Sequence, residues 1–244
     1  MATQRGKFAG LVLVVPEKPD SERDAVCSTW AEGGGAVERL GRFWAPPQLD
    51  PSAVKIYGPD TFALVVAQKL GLELICPADD LLASTPVQFL KREVRRVALS
   101  DMRGRIFPVF VKSVVPKLFR SRIYESAAAL ELECRGLEPS TQVLTSEILP
   151  IVAEARTFVL EGRVVTSAVY EGKADDAEPR EMAAQVAAEV ALPSTCVVDL
   201  ALVQDRGWAL LEFNPTWGAG LNGCAPEAVA ECLVFATRLP VAKL

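Results

Sequence analysis

The sequence contains no histidine. That one absence removes His-based nucleophilic triads, His-ligated zinc and imidazole general bases together. It also lacks any paired-cysteine motif: Cys27, Cys76, Cys134, Cys196, Cys224 and Cys232 are scattered without a CxxC. Such cysteines read as reduced, mostly buried thiols of a cytoplasmic protein, and a cysteine-dependent enzyme would have no imidazole to activate its thiol. Long apolar runs are missing too. Phe8–Val15 is the longest near the start, too short to span a bilayer and followed by no small-residue cleavage site, so neither membrane insertion nor export is expected. Nor is there an excess of positive charge. With 26 Lys and Arg against 31 Asp and Glu, the net charge of −5 argues against nucleic acid as a partner.

What is present is an ordinary globular composition, 50% apolar and 23% charged, over 244 residues. That length suits one large domain or two small ones. Any chemistry must rest on carboxylates, lysines, arginines, a metal ion or a thiol.

The first third alternates strand and helix. Phe8–Val15 predicts a buried strand, Ser21–Ala31 a helix stopped by Gly33–Gly35, Val54–Tyr57 a strand, Pro59–Leu70 a helix ended by Gly71, and Leu72–Cys76 another strand. Trp44–Pro51, with three prolines, is a loop. From Ala83 the texture changes. Ser84-Thr85-Pro86 opens a basic helix over Val87–Leu99, Val109–Lys112 is a short buried strand, Ser113–Arg122 a basic loop containing Pro116, and Ser126–Cys134 a helix with Ser at its cap. Strands follow at Gln142–Ser146, Arg156–Leu160 and Val164–Tyr170, the last two joined by Glu161-Gly162. A helix over Glu178–Val190 precedes a second hairpin, Thr195–Val203 with Trp208–Asn214, and Pro226–Ala236 is the closing helix. The expected fold class is α/β, built of α+β lobes.

Ionisable groups inside apolar strands carry the functional signal. Asp199 interrupts Val197-Val198-Asp199-Leu200-Ala201, and Glu212 interrupts Leu210-Leu211-Glu212-Phe213-Asn214. Strand alternation puts Glu212 and Asn214 on one face, and antiparallel pairing can bring Asp199 to it. Two carboxylates and an amide oxygen then converge, which costs hydration and self-repulsion unless a cation sits among them. Mg²⁺ with hard oxygen ligands beside a nucleotide satisfies that need. For either carboxylate alone, a solvent-facing place on an edge hairpin is an equal reading. Upstream, Lys112 ends a buried strand and Lys117 follows in the loop, where each can offer an ammonium to a phosphate or simply extend to solvent. Arg120 and Arg122 read as a solvated basic face. Gly218-Ala219-Gly220-Leu221-Asn222-Gly223 formally fits GxGxxG, but too little chain follows for a dinucleotide fold. It reads as an adaptable loop beside the carboxylates, with Trp217 and Asn222 placed to touch a second substrate, or as a plain turn.

In their order and intervals these pieces resemble the ATP-grasp superfamily, and within it the arginine-to-lysine clade. The stretch runs from about Pro86 to the C-terminus: Pro108-Val109-Phe110-Val111-Lys112, Lys117-Leu118-Phe119, Ser146-Glu147-Ile148-Leu149-Pro150, Glu154-Ala155-Arg156-Thr157-Phe158-Val159, Asp199, and Glu212-Phe213-Asn214-Pro215. The resemblance implies an ATP-grasp fold over residues 83–244, with two lobes hinged near 146–150, preceded by a pre-ATP-grasp αβ domain over residues 1–82. It implies ATP and Mg²⁺ as cofactors, with Glu147, Ile148 and Leu149 as the adenine hinge, Glu154 on the ribose, Lys112 and Lys117 on phosphates, and Asp199, Glu212 and Asn214 on the metal. The family's arginine two residues before the metal aspartate is Val197 here. A replacement cation is expected in Lys173, with Arg156 and Lys117 in reserve. The implied activity is a carboxylate–amine ligase working through an acyl phosphate on small-molecule or peptide substrates. The competing reading is an ATP-binding subunit or sensor without ligase activity.

Overall fold

The computed structural model describes residues 6–115 and 117–240. Pro116, expected within the basic loop, lies outside them. In chain order the elements are β1 (Val12–Pro16), α1 (Ser21–Glu32), β2 (Ala36–Leu40), β3 (Val54–Ile56), α2 (Asp60–Leu70), β4 (Glu73–Leu74), α3 (Leu81–Ser84), α4 (Val87–Leu90), β5 (Val94–Ala98), a 3-10 helix (Leu99–Gly104), β6 (Val109–Ser113) and β7 (Arg122–Tyr124). They continue with α5 (Ala127–Glu133), β8 (Gln142–Ser146), β9 (Ile151–Leu160), β10 (Arg163–Gly172), α6 (Ala177–Glu189), β11 (Thr195–Val203), β12 (Gly207–Asn214), a 3-10 turn (Thr216–Gly218), α7 (Pro226–Val234) and β13 (Thr237–Arg238).

By its contacts the chain divides into two compact units. The first comprises residues to Pro77, Ala153–Leu200 and Glu212 onward; the second comprises Ala78–Val152 and Ala201–Leu211. In the first, β1 is the centre of a parallel β2-β1-β3 sheet. Its Leu13, Val14 and Val15 are all fully buried, which is why the run is continuous rather than alternating. Asp20 caps α1 by accepting from the Arg23 N–H at 2.9 Å, and Gly71 ends α2 in the left-handed conformation. One core joins this sheet to residues far along the chain. Trp30, stacked on Phe8 with ring centroids 4.4 Å apart, shares it with Phe158, Val197 and Leu233. The β9-β10 hairpin turns on Glu161 and Gly162, both at positive φ, the backbone of a two-residue turn whose twist matches its strands. The sheet order is β10-β9-β11-β12.

The second unit holds an antiparallel sheet, β5-β8-β6-β7, over a core of Met102, Val111, Tyr124, Leu130 and Val143. Here the expected basic helix over Val87–Leu99 is corrected. Helix α4 stops after Leu90, Lys91 turns left-handed at φ 49°, and Val94–Ala98 becomes a strand paired with β8. Local propensity gives way to an otherwise unpaired edge of β8, whose backbone groups need a partner. Arg92, within the stretch expected to be helical, is buried. Its guanidinium donates to the carbonyls of Leu90, Leu210 and Leu211 at 3.1, 2.6 and 3.0 Å. Three strands, β2, β7 and β13, also go beyond the sequence-based expectations; β7 and β13 are too short to carry a periodic signal, and β2 mixes polar and apolar residues without clear alternation. Among the described residues no helix is long and apolar enough to cross a membrane.

Candidate functional site

The first unit gathers the acidic and amide side chains. β11 carries Asp199, 4% exposed, and β12 carries Glu212 and Asn214. The Asn214 amide nitrogen lies 2.8 Å from both Asp199 Oδ2 and Glu212 Oε1, so the two carboxylates share one amide. The counter-charge is Arg156 on β9. Its Nε donates to Asp199 Oδ1 at 2.9 Å and its Nη2 to Oδ2 at 2.8 Å, a bidentate fork of the kind that suits guanidinium and carboxylate. Burial pulls the Arg156 pKa down, but the bond to Asp199 outweighs it and the net shift is upward. The arginine therefore stays charged at any working pH.

Glu154 sits two residues before Arg156 on the same strand face and accepts from the Tyr170 hydroxyl at 2.5 Å. Burial first, then the Glu154 bond and the nearby Asp199 charge, hold the Tyr170 phenol well above its usual pKa. Sequence reasoning missed this tyrosine, which sits at a register shift between Val169 and Glu171 and so escapes regular strand alternation. Lys173, just past the end of β10, is exposed and makes no hydrogen bond or ion pair with another described residue.

The loop after β12 is pinned rather than adaptable. Tyr57 donates its hydroxyl proton to the Ala219 carbonyl at 3.0 Å, and Arg156 Nη1 donates to the Gly220 carbonyl at 3.1 Å. The Leu221 and Asn222 N–H groups donate to the two oxygens of Glu22 at 2.8 and 2.9 Å. Trp217 is buried, and its indole N–H donates to the Ile75 carbonyl at 3.1 Å, so the ring fills core rather than facing a substrate. Asn222 is half-buried at φ 47°. Val197, on the same strand face as Asp199, is fully buried among apolar neighbours, an environment that accepts valine and would strand an arginine.

In the second unit, Lys112 lies near the end of β6 opposite Leu144 of β8 and is half-buried, while Lys117 is exposed at φ 64°. Glu147 is also exposed, and Arg206 holds its carboxylate bidentately at 3.0 and 2.9 Å. That bond first, opposed by slight desolvation, keeps the Glu147 carboxyl below the usual range. Glu147, Ile148 and Leu149 lie between β8 and β9, outside any strand. Among the described residues, the backbone groups of Ile148 and Leu149 take no hydrogen-bond partner. Unpaired backbone donors and acceptors in a half-exposed segment are what an adenine edge would use.

Five of the six thiols are buried and held protonated, while Cys76 is exposed. Burial pushes Cys196 and Cys232 up to about 12 and Cys224 to about 11, and raises Cys27 and Cys134. As to metal, no three Cys, Asp or Glu side chains gather among the described residues. The Asp199, Glu212 and Asn214 set offers two carboxylates and an amide. Asp199 Oδ1 accepts one bond here and an ionised carboxylate oxygen has room for two, so the donors fit a hard divalent ion once the Asn214 amide turns its oxygen inward.

Comparison with known proteins agrees with this architecture. A family model for an ATP-grasp domain, the second family of its clade, matches residues 89–232. No curated protein matches the sequence. Among solved structures, the D-cycloserine synthetase DcsG is similar at 16% identity and a TM-score of 0.59, covering 92% of this chain and 98% of that one. A RimK domain ATP-grasp protein from Sphaerobacter thermophilus is similar at 16% identity and a TM-score of 0.56, with the same coverage of 92% and 98%. The ATP-grasp ligase PsnB, solved with a phosphomimetic variant of its minimal precursor, Mg and ADP, is similar at 14% identity and a TM-score of 0.52, over 93% of this chain and 96% of that one. The chain belongs to the ATP-grasp superfamily, in the family that this model describes, and its fold is the ATP-grasp fold.

Proposed function

We propose that this ATP-grasp protein is an ATP-dependent carboxylate–amine ligase. The observation that carries the reading is the convergence of buried Asp199 with half-buried Glu212 and Asn214 on one arginine-compensated patch. An edge hairpin facing solvent would not hold such a cluster together. Asp199, Glu212 and Asn214 take the metal; Mg²⁺, when bound, supplies neutralisation of the triphosphate charge. Lys112 and Lys117 hold phosphate oxygens as point charges. The backbone at Glu147, Ile148 and Leu149 binds adenine, and Glu154 accepts the ribose hydroxyls, its partner Tyr170 aiming the carboxylate. Residues 1–82 serve as the pre-ATP-grasp domain that shapes the acceptor site.

In the reaction a substrate carboxylate oxygen attacks the γ-phosphorus of ATP, giving an acyl phosphate and ADP. The amine nitrogen then attacks the acyl carbon, the C–O bond to phosphate breaks, and the amine proton leaves to solvent. Charge on the transferring phosphoryl group needs a cation. Lys173 is suited because it has no competing partner among the described residues, whereas Arg156 is already committed to Asp199. DcsG acts in making a small molecule and PsnB was solved with its precursor, so the amine and acid are sought among both amino acids and peptides.

The experiment is an ADP-release screen over pooled amino acids and short peptides with purified protein, repeated with Glu212→Ala. Substrate-dependent ADP release that Glu212→Ala abolishes supports the ligase. Buried Val197, standing where the family has its arginine, favours a second reading, an ATP-binding module without transfer. Mg²⁺-dependent ATP binding with no ADP release across the panel would establish that alternative.

A further inference from the structure

The carboxylate cluster is connected to the first turn of α1 by a continuous line of hydrogen bonds that the proposed chemistry does not use. Glu22 is half-buried at the second position of α1, where the helix N-terminus favours a negative charge. Its two oxygens take the consecutive N–H groups of Leu221 and Asn222 at 2.9 Å or less. Asn222 adopts φ 47°, so the two N–H groups converge on one anion. The neighbouring carbonyl, Gly220, takes Nη1 of Arg156 at 3.1 Å, and the other two nitrogens of that guanidinium, Nε and Nη2, are thereby aimed at Asp199. Asp199 in turn shares the Asn214 amide with Glu212. The approach is close: a Cβ placed on Gly220 would come within 2.6 Å of Glu22 Oε2, so a methyl there would displace the carboxylate from its present position.

We propose that Glu22 is a positioning residue for the metal cluster, fixing the Gly220–Asn222 loop so that Arg156 presents its fork to Asp199. This rests on the Mg-ATP reading above. An arginine has five donors in a rigid plane, so anchoring one on a fixed carbonyl sets where the rest point. Without Glu22 the Gly220 carbonyl is free to drift. Arg156 then follows it, and Asp199 loses the orientation in which it can share a cation with Glu212 and Asn214. The role belongs to an element of the N-terminal αβ region, which gives that region a part in nucleotide binding independent of any acceptor it holds.

The test measures binding of a fluorescent ADP analogue to the full chain across a Mg²⁺ series and without Mg²⁺, with melting temperature followed in parallel. For Glu22→Ala, the Mg²⁺ concentration giving half-maximal enhancement is expected to rise about tenfold, on the scale of lost outer-shell support. Metal-free affinity and melting temperature should stay close to wild type. Gly220→Ala, which pushes the Glu22 carboxylate off the loop from the other side, should give the same shift and serves if Glu22→Ala fails to fold. Glu22→Gln, retaining one acceptor oxygen, should fall between. Wild-type Mg²⁺ dependence in both Glu22→Ala and Gly220→Ala overturns the positioning role, as does an equal loss of metal-dependent and metal-free binding, which marks a purely structural effect. A wild-type protein whose nucleotide binding ignores Mg²⁺ overturns the underlying reading itself, and that result is recognised without any variant.

Discussion

Asp199 with Arg156, and Glu147 with Arg206, are the same chemical pair in two settings. Both are bidentate and their distances agree within 0.2 Å. They differ in exposure: the Asp199 side chain is 5% exposed and that of Glu147 44%. A surface pair is screened and loses side-chain entropy in forming, whereas a buried pair has already given up its hydration and cannot lose one member cheaply. The first pair therefore sits at the centre of the proposed metal site, and the second ties down the side chain of a residue in the proposed adenine hinge.

Asp199→Ala breaks the buried pair and should have the largest effect. Removing one partner of a buried pair costs about 3–5 kcal/mol, read as a drop in unfolding free energy by urea titration. Mg²⁺-dependent nucleotide binding should disappear with it. Pairing this change with Arg156→Met should restore much of the stability but none of the metal dependence, which separates the fold's need for the pair from the site's. Lys112→Met comes next: loss of the proposed charged phosphate contact, about 1.5–3 kcal/mol, corresponds to roughly 10–100-fold weaker ATP binding by calorimetry.

The buried thiols give a smaller, pH-dependent effect. Cys196 and Cys232 have folded pKa values of about 12 against an ordinary 9.0. The unfolded chain therefore releases protons that the native state retains as pH rises from 9 to 12, and stability is intact below pH 9 and falls through that window. Urea midpoints at about pH 8, 9.5 and 10.5 should decline, less steeply in Cys196→Ala. The smallest change is expected from Glu147→Gln. It weakens chiefly the exposed pair with Arg206 and leaves the backbone of Ile148 and Leu149 in place, so ATP affinity by calorimetry should match wild type. A large loss there would show that the hinge acts through its side chain and erase the contrast between the two pairs.

Part of the site is legible in the amino-acid sequence. Asp199, Glu212 and Asn214 stand out because charge inside an apolar strand is costly and needs a reason. Glu161-Gly162 declares a turn that only positive-φ residues make comfortably. Arg92 and Glu22 give no such signal. Each sits in a polar stretch where charge is unremarkable, and each acquires meaning only from backbone groups more than a hundred residues away. Tyr170 likewise looks like a strand-end aromatic; it falls at a register shift that pairs Glu171 with Glu154, and only the folded hairpin brings its hydroxyl to the Glu154 carboxylate. The basic stretch after Pro86 reads as helix because its pattern is local, while the strand it forms answers to the open edge of β8.

By itself the sequence determined the kind of chemistry available and the strands that carry it, since the absence of histidine and the placement of carboxylates among apolar residues are properties of the chain alone. Tertiary structure decided which cation answers those carboxylates and which loop holds that cation in place. Those choices depend on directed hydrogen bonds between segments far apart in sequence, and linear spacing does not encode direction.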